Sequence, residues 1–371
     1  MIYGVGTSFF GKQTETDLRV LAWKAILEAL ADAGLDSVDA AYVGTAYSEL
    51  GTAQQILSAL GITEVPILTL ENASASGTTA FHEARWAIES GRYERVLVVG
   101  VEHMTSKFAE AVRPAASDPE GRSGMAMPAL YAMAAQRYIA TSLATPKQLA
   151  MVAVKNLGNA LWNPRTERKG SYSIEEILTS RMIADPLTRL QCCSITDGAG
   201  AVVLGPPRAN RRDIVIRGSA LRSGKLWDYR SEHVWGFEIV RDTARDAFEE
   251  AGIEATDSDV FEVHDAFTIG EIVATEALGL AELGAGGRLV EAGQTAISGA
   301  YPVNPSGGLL ARGHPIGATG VAQVYEIVTQ LRGEAGDRQV RDCRIGVVET
   351  MGGGVSGVDG NGCVITVLEK A

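Results

Sequence analysis

The chain is expected to fold as an α/β protein built from two similar halves, residues 1–207 and 208–371. Three observations predict this. Short apolar runs alternate with longer stretches of helical periodicity along both halves, as strands and helices layered on one another require. One run, Arg95 to Val101, is apolar almost throughout and suits the buried middle of a sheet. Each half also sends a strand into a loop of small residues ahead of a helix, Asn72 to Gly77 in the first and Asn304 to Gly320 in the second. That parallel reads as an internal duplication of architecture, without residue-by-residue identity.

Ile2 to Val5 reads as a short strand, and after a polar loop Asp17 to Ala33 is a helix closed by Gly34. Val38 to Tyr47 supplies the next strand, Gln54 to Leu60 a helix ending at Gly61, and Val65 to Leu70 an extended run that enters Glu71 to Gly77. A helix from Thr78 to Glu89 stops at Ser90-Gly91. An insertion is expected around 105–190. Pro114, Pro119, Gly121, Gly124 and Pro128 break its first part, and Met125, Met127 and Met133 lie close by. A substrate cover, a subunit contact and a plain surface excursion all fit that pattern. Leu130 to Ala140, Pro146 to Leu161 and Ile174 to Ser180 are helical, the second with Thr145 as cap ahead of Pro146. Cys192 to Thr196 and Ala201 to Leu204 read as two strands joined by a turn at Asp197 to Gly200, and Pro206-Pro207 closes the half.

The second half repeats the alternation. Ile214 to Ser219 is a strand, Trp227 to Trp235 an aromatic and charged loop, and Ile239 to Ala251 a helix stopped by Gly252. Val260 to Val263 is a strand ending in His264-Asp265-Ala266-Phe267, followed by a helix from Thr268 to Leu278 and a loop-rich connection to Gly287. Gly299 to Gly320 then packs six glycines, three prolines, Asn304 and His314 into one loop. It leads into a buried helix from Val321 to Leu331, and Ile345 to Thr350 and Gly362 to Leu368 are the closing strands. On composition alone, a structural corner with an incidental histidine is the competing reading of that loop.

With 371 residues, 46% of them hydrophobic and 21% charged, the chain can bury a large core. Its net charge of −12 argues against nonspecific nucleic-acid binding and gives no reason to expect an anionic membrane partner. A few Arg and Lys at one mouth would still suffice for an anionic substrate. Cys192, Cys193, Cys343 and Cys363 have neither metal-ligand spacing nor the density of a small secreted domain. The start MIYGVGTSFF lacks the layout of a signal peptide, and no 18-residue apolar run follows, so a cytoplasmic protein is expected.

The polar candidates gather at three strand-end loops, as Ser74, His264 and His314. A serine ahead of a helix lies near free N–H groups that favour developing negative charge, and an ordinary helix cap is its competing reading. A hydroxyl needs a base to become a nucleophile, which His264 or His314 could supply by approaching it in space. Asp265 could orient an imidazole or serve as a helix cap. His82 sits in a helical run and His103 trails a strand, which makes both weaker candidates. Gly4-Val5-Gly6 is only part of a nucleotide fingerprint, and N-A-S-A-S is not a nucleophile elbow.

ENASASGTTA from Glu71, SITDGAGAVVL from Ser194, EVHDAFT from Glu262, NPSGG from Asn304 and GHPIGATG from Gly313 carry a further reading. With these blocks the chain resembles the thiolase superfamily over essentially its whole length. The likeness is strongest to the sterol carrier protein x type thiolases and the acetyl-CoA acetyltransferase-like, or lipid-transfer-protein, branch. The resemblance implies a duplicated five-layer αβαβα fold, a homodimer, and a coenzyme A thioester as substrate with no tightly bound cofactor and no metal. Similar proteins frequently act with a small oligonucleotide-fold, zinc-ribbon partner. The chain ends at Ala371 without room for the fused sterol-carrier domain of some relatives, so literal lipid transfer is not expected.

In thiolases a cysteine at the position of Ser74 accepts the acyl group, and the histidine matched by His314 activates it. The block carrying His264 helps bind the thioester oxygen. A second cysteine handles the α-carbon proton in a C-x-G-G-G segment, which here is Thr350-Met351-Gly352-Gly353-Gly354. Both thiols are absent. The resemblance therefore implies an acyl-CoA C-acyltransferase working through Ser74, His314 and His264. It also implies contacts to the coenzyme A ester at Asn304, Ser306, Gly307 and Gly353, with Lys155, Arg122 and Arg222 as phosphate candidates. Two alternatives stay open. One is an acyl-CoA aldolase that cleaves a 3-hydroxyacyl-CoA without an acyl-enzyme, with Tyr301 moving the proton. The other is a non-catalytic acyl-CoA-binding subunit.

Overall fold

The computed structural model describes residues 1–228, 230–353 and 357–371. The first half runs β1 (Ile2–Thr7), α1 (Leu18–Ala33), β2 (Ala40–Gly44), α2 (Thr52–Ser58), β3 (Ile67–Leu70), α3 (Ser76–Glu89) and β4 (Val96–His103). An excursion then carries α4 (Pro119–Arg122), α5 (Met127–Ala140), α6 (Pro146–Asn159), α7 (Ile174–Thr179) and a hairpin of β5 (Met182–Ala184) and β6 (Leu187–Thr188), before β7 (Asp197–Leu204). The second half runs β8 (Ile214–Arg222), α8 (Phe237–Ala251), β9 (Val260–Glu262), α9 (Thr268–Ala277), α10 (Gly286–Glu291), α11 (Gly308–Arg312), α12 (Ile316–Arg332), β10 (Ile345–Gly352) and β11 (Gly362–Lys370).

The strands lie in the order β3-β2-β4-β7-β1 in the first half and β9-β10-β11-β8 in the second, joined where Ile2 pairs with Ile214. Setting β9, β10, β11 and β8 against β2, β4, β7 and β1 makes the two orders coincide. Directions agree as well: β2 and β4 are parallel like β9 and β10, and β4 and β7 antiparallel like β10 and β11. In the place of β3, the second half has a parallel bridge from Val303 to Phe261. Asn72 and Asn304 thus follow equivalent strands, and the duplication is present in the topology.

Apolar faces fix the layers. α1 covers the outer face of the first sheet, where Leu21 and Ile26 meet Val43, Leu97 and Val203. Between the sheets lie α3 and α12, whose Phe81, Val321, Val324 and Ile327 pack with Val98, Val202 and Val348. α8 and α9 close the far side through Phe248 and Ile272 against Val347 and Ile365. The result is the five-layer αβαβα arrangement, an α/β fold. Among the described residues no helix is long and apolar enough to cross a membrane.

Two expectations change. β7 runs unbroken through Asp197 to Gly200, where a turn was expected. A β-carbon on Gly198 would fall 2.6 Å from the Phe10 ring, so this glycine serves close packing instead of a reversal. The glycine-rich loop is also more regular than its composition implies: it contains α11, and α12 begins at Ile316, five residues before Val321. Here the glycines record contact between backbones, since a β-carbon on Gly77 would lie 2.5 Å from the Gly317 carbonyl oxygen.

Candidate active site

Ser74 sits at the tip of the β3–α3 connection, just ahead of the first turn of α3 and nearly buried. The preceding Ala73 takes a left-handed φ of 48°, and Ser76 closes the turn by donating to the Ala73 carbonyl and accepting from Asn72 N–H. His314 lies between α11 and α12, anchored by its backbone N–H on the Ser194 carbonyl. Its Nε2 is 2.9 Å from Ser74 Oγ. On the other side of the ring, Nδ1 is 2.7 Å from Thr319 Oγ1, and that hydroxyl donates its own proton to the Pro315 carbonyl. Thr319 must therefore accept from His314 Nδ1–H, which leaves Nε2 to accept from the Ser74 hydroxyl. His264, from the loop after β9, stands edge-on to His314 with ring centroids 4.8 Å apart. Loops from both halves thus bring Ser74, His264 and His314 together.

Both imidazoles are neutral near neutral pH. Burial, reinforced by the Arg312 guanidinium, pushes His264 down to about 3, and its Nδ1 has no hydrogen-bond partner among the described residues. Burial, then His264 and Arg312, hold His314 well below its ordinary value, although the residue retains some accessible surface. Arg312 is buried below them, 3.7 Å from Glu262, whose carboxyl burial raises to about 7 against the pull of that cation.

Beneath the histidines lies a closed polar network. Asp265 accepts from Leu309 N–H at 2.6 Å and Asn156 Nδ2 at 2.7 Å, and Asn156 Nδ2 also reaches Glu271 at 2.7 Å. Lys155 Nζ lies 3.0 Å from Glu271 and donates to the Val303 carbonyl. Burial and the neighbouring Glu271 push the Asp265 carboxyl well above the usual range.

Several of the residues expected to contact the coenzyme belong to this network or pack beside it. Asn304 is fully buried, accepting from Val263 N–H at 2.9 Å and donating to Glu271 at 3.1 Å, while Ser306 bonds Glu262 at 2.8 Å. Gly307 is buried too, with no room for a β-carbon beside Ala160. These three brace the loop from within. Lys155 is likewise committed inside, and Arg222 pairs with Asp246. Arg122 stays exposed on α4, bonded to the Ser117 carbonyl. Asn304→Ala is expected to lower stability by about 1–3 kcal/mol, by orphaning buried partners, and to leave KM for a coenzyme A ester unchanged. Thermal unfolding and steady-state kinetics on one preparation check this.

Tyr301 lies in a bend two residues ahead of Val303, which bridges Phe261 in parallel, and it packs on a core cluster that draws residues from both halves. Thr350, at the place of the second thiol, faces α12 and donates to Gln323 at 2.6 Å. Gly353 lies against the Trp235 ring, and Gly354 lies outside the described residues.

Beside His264 lies a small cavity of about 30 Å³, lined by Tyr131, Trp235, Glu349, Met351 and the apolar face of α9. Trp235 also borders a wider vestibule of about 280 Å³ under Pro114, Met125, Met127 and Met133. Gly352, next to Met351, packs on the backbone of Asn72 to Ala75, which sets the cavity close to the Ser74 loop. Sequence reasoning passed over Glu349, Tyr131 and Arg312. Glu349 left a usable signal, a lone carboxylate inside an otherwise apolar strand. A tyrosine on a helix leaves none.

The comparisons agree with this construction. Family profiles described as "Thiolase, N-terminal domain" and "Thiolase C-terminal domain-like" match residues 4–207 and 225–359. The chain is 41% identical to an acetyl-CoA acetyltransferase of Methanothermobacter thermautotrophicus, with 95% of this chain and 96% of the relative covered. It is 39% identical to the benzoylsuccinyl-CoA thiolase subunit BbsB of Thauera aromatica, covering 95% and 94%. Human sterol carrier protein 2 is 32% identical, with 100% of this chain and 71% of that protein covered. Among solved structures, the Ltp2-ChsH2(DUF35) aldolase superposes with a TM-score of 0.83 at 24% identity, covering 100% and 97%. The chain belongs to the thiolase superfamily, in its sterol-carrier-protein-like branch, with Ser74 where the acyl-accepting cysteine usually stands.

Proposed function

We propose that the protein cleaves or forms a carbon–carbon bond in a coenzyme A thioester by an aldol-type step on a 3-hydroxyacyl group, without an acyl-enzyme. The setting of His314 carries this reading. Its Nδ1 proton is given to a threonine hydroxyl instead of a carboxylate, so nothing stabilises the imidazolium that would form on taking the Ser74 proton. Burial and Arg312 weaken the ring further as a base. A serine hydroxyl is also far harder to ionise than a cysteine thiol, whose reference pKa is about 8.5. A neutral His264 suits a different task, donating one ring N–H to the thioester oxygen as enolate charge develops. An aldolase among the similar folds is consistent with the same reading.

Acyl transfer through Ser74 is the second reading, favoured by the 2.9 Å contact between Ser74 Oγ and His314 Nε2. Ser74→Ala separates the two. We expect it to retain 3-hydroxyacyl-CoA cleavage within about 10-fold of the parent, whereas loss of the nucleophile in an acyl-enzyme mechanism costs at least about 10³-fold. A burst of released coenzyme A in the parent that vanishes in the variant favours acyl transfer.

For partners, we propose a homodimer and, by analogy with the two names in that aldolase, a small DUF35-type companion. β3 lies at the sheet edge with Leu68 exposed, a strand that a second copy can cover. The four cysteines are free, which fits a reducing, cytoplasmic setting.

A further inference from the structure

We infer that Glu349 is the catalytic base that takes the proton from the β-hydroxyl of the acyl group. The inference rests on the aldol-type reading above. Strand alternation along β10 sends Glu349 and Met351 to one face, into the cavity, and Thr350 to the other, against α12. Glu349 Oε2 accepts the His264 backbone N–H at 2.7 Å, and Glu349 and His264, proposed to hold the thioester oxygen, line the same cavity. The walls are aromatic and aliphatic: Tyr131 stacks on Phe267 with centroids 4.4 Å apart and meets Trp235 edge-on at 5.6 Å. Glu349 is the one carboxyl in the lining of this cavity.

A buried carboxyl with no cation beside it is costly unless it has a use. Among the described residues, the titratable groups facing Glu349 are Tyr131 from α5, His264 from the β9–α9 loop and Cys363 from β11. None is a cation at neutral pH, so burial raises Glu349 to about 7, opposed by the His264 N–H bond. That proton affinity is matched to general-base work near neutral pH.

The step balances without a co-reactant. The Glu349 carboxylate takes the β-hydroxyl proton, and the O–H electron pair becomes the new C=O bond as the bond between the α- and β-carbons breaks. The released pair moves to the α-carbon and thioester oxygen, where His264 donates its N–H. The proton now on Glu349 returns to the α-carbon, leaving an aldehyde or ketone and a shortened acyl-CoA.

The test uses 3-hydroxybutanoyl-CoA, whose cleavage gives acetaldehyde and acetyl-CoA, with the parent and Glu349→Gln. The expected result is a kcat lower by about 10²-fold or more with KM within about 3-fold, at unchanged thermal stability. In the parent, kcat should rise with pH through about 7, as the carboxyl ionises, and the variant should lose that limb. Cleavage by the parent with Glu349→Gln undiminished overturns the role of Glu349 alone. No cleavage of any 3-hydroxyacyl-CoA by the parent overturns the aldol-type reading and this inference with it. An infrared band of a protonated carboxylic acid, fading above pH about 7 and missing in Glu349→Gln, reads the same group without turnover; its absence from the parent at low pH overturns the assignment.

Discussion

Lys155→Met is expected to destabilise the protein by about 3–5 kcal/mol at pH 8, because it removes a buried cation and leaves its carboxylates behind. Lys155 Nζ lies 3.0 Å from Glu271, and both side chains are shielded from solvent. Glu262 would keep its ion pair with Arg312, whereas Glu271 would lose its partner. For a chain of this length that cost corresponds to a Tm lower by about 4–6 °C. The pH dependence has a definite sign. Asp265 already holds its proton well above the usual carboxylate range, and Lys155 is one of the charges restraining that rise. Removing Lys155 lifts its folded-state pKa further above the unfolded value. A group shifted in this direction stabilises the fold below its unfolded pKa and loses that contribution as pH rises through its folded pKa. The deficit of the variant should therefore shrink as pH falls from 8 toward 5.5. Thermal unfolding of parent and variant at both values checks this, and a deficit independent of pH would sink the argument.

Gly100→Ala should both destabilise the fold and misplace His314. Gly100 lies inside β4, and an added methyl group would press on the Gly317 carbonyl oxygen and on Val321 Cγ2, 2.8 Å away. Neither side yields easily. Gly317 N–H is tied to Glu102 at 3.1 Å, and Glu102 also accepts from Ala46 N–H, Tyr47 N–H and Thr45 Oγ1. Overpacking of this kind costs up to about 3 kcal/mol. The less rigid response is a shift of the first turn of α12, which carries His314 away from Ser74 and His264. A displacement near 1 Å lowers turnover by about 10²-fold. Unfolding curves and kcat together test it, and a variant with parental values of both would show that α12 is free to move.

The contrast between these glycines and the polar candidates shows where sequence reading ran out. Strand and helix alternation, the helix stop at Gly34, and the small-residue loops placed the two halves and the three loops that carry Ser74, His264 and His314. Those features are local, since apolar periodicity and turn chemistry act over a few residues. Gly198, Gly100 and Gly317 were open to misreading because a glycine that admits a neighbouring backbone has the same letter as one that reverses the chain.

Local pattern was enough for the α/β class, the duplication and the residue types at the centre. Tertiary packing alone set the rest: that Asn304, Ser306 and Lys155 face inward, that Thr319 orients His314, and that Glu349 enters a cavity beside His264. The physical reason is burial. Whether a polar side chain is a brace or a reagent depends on which donors, acceptors and open space surround it, and those neighbours come from segments far away in the chain.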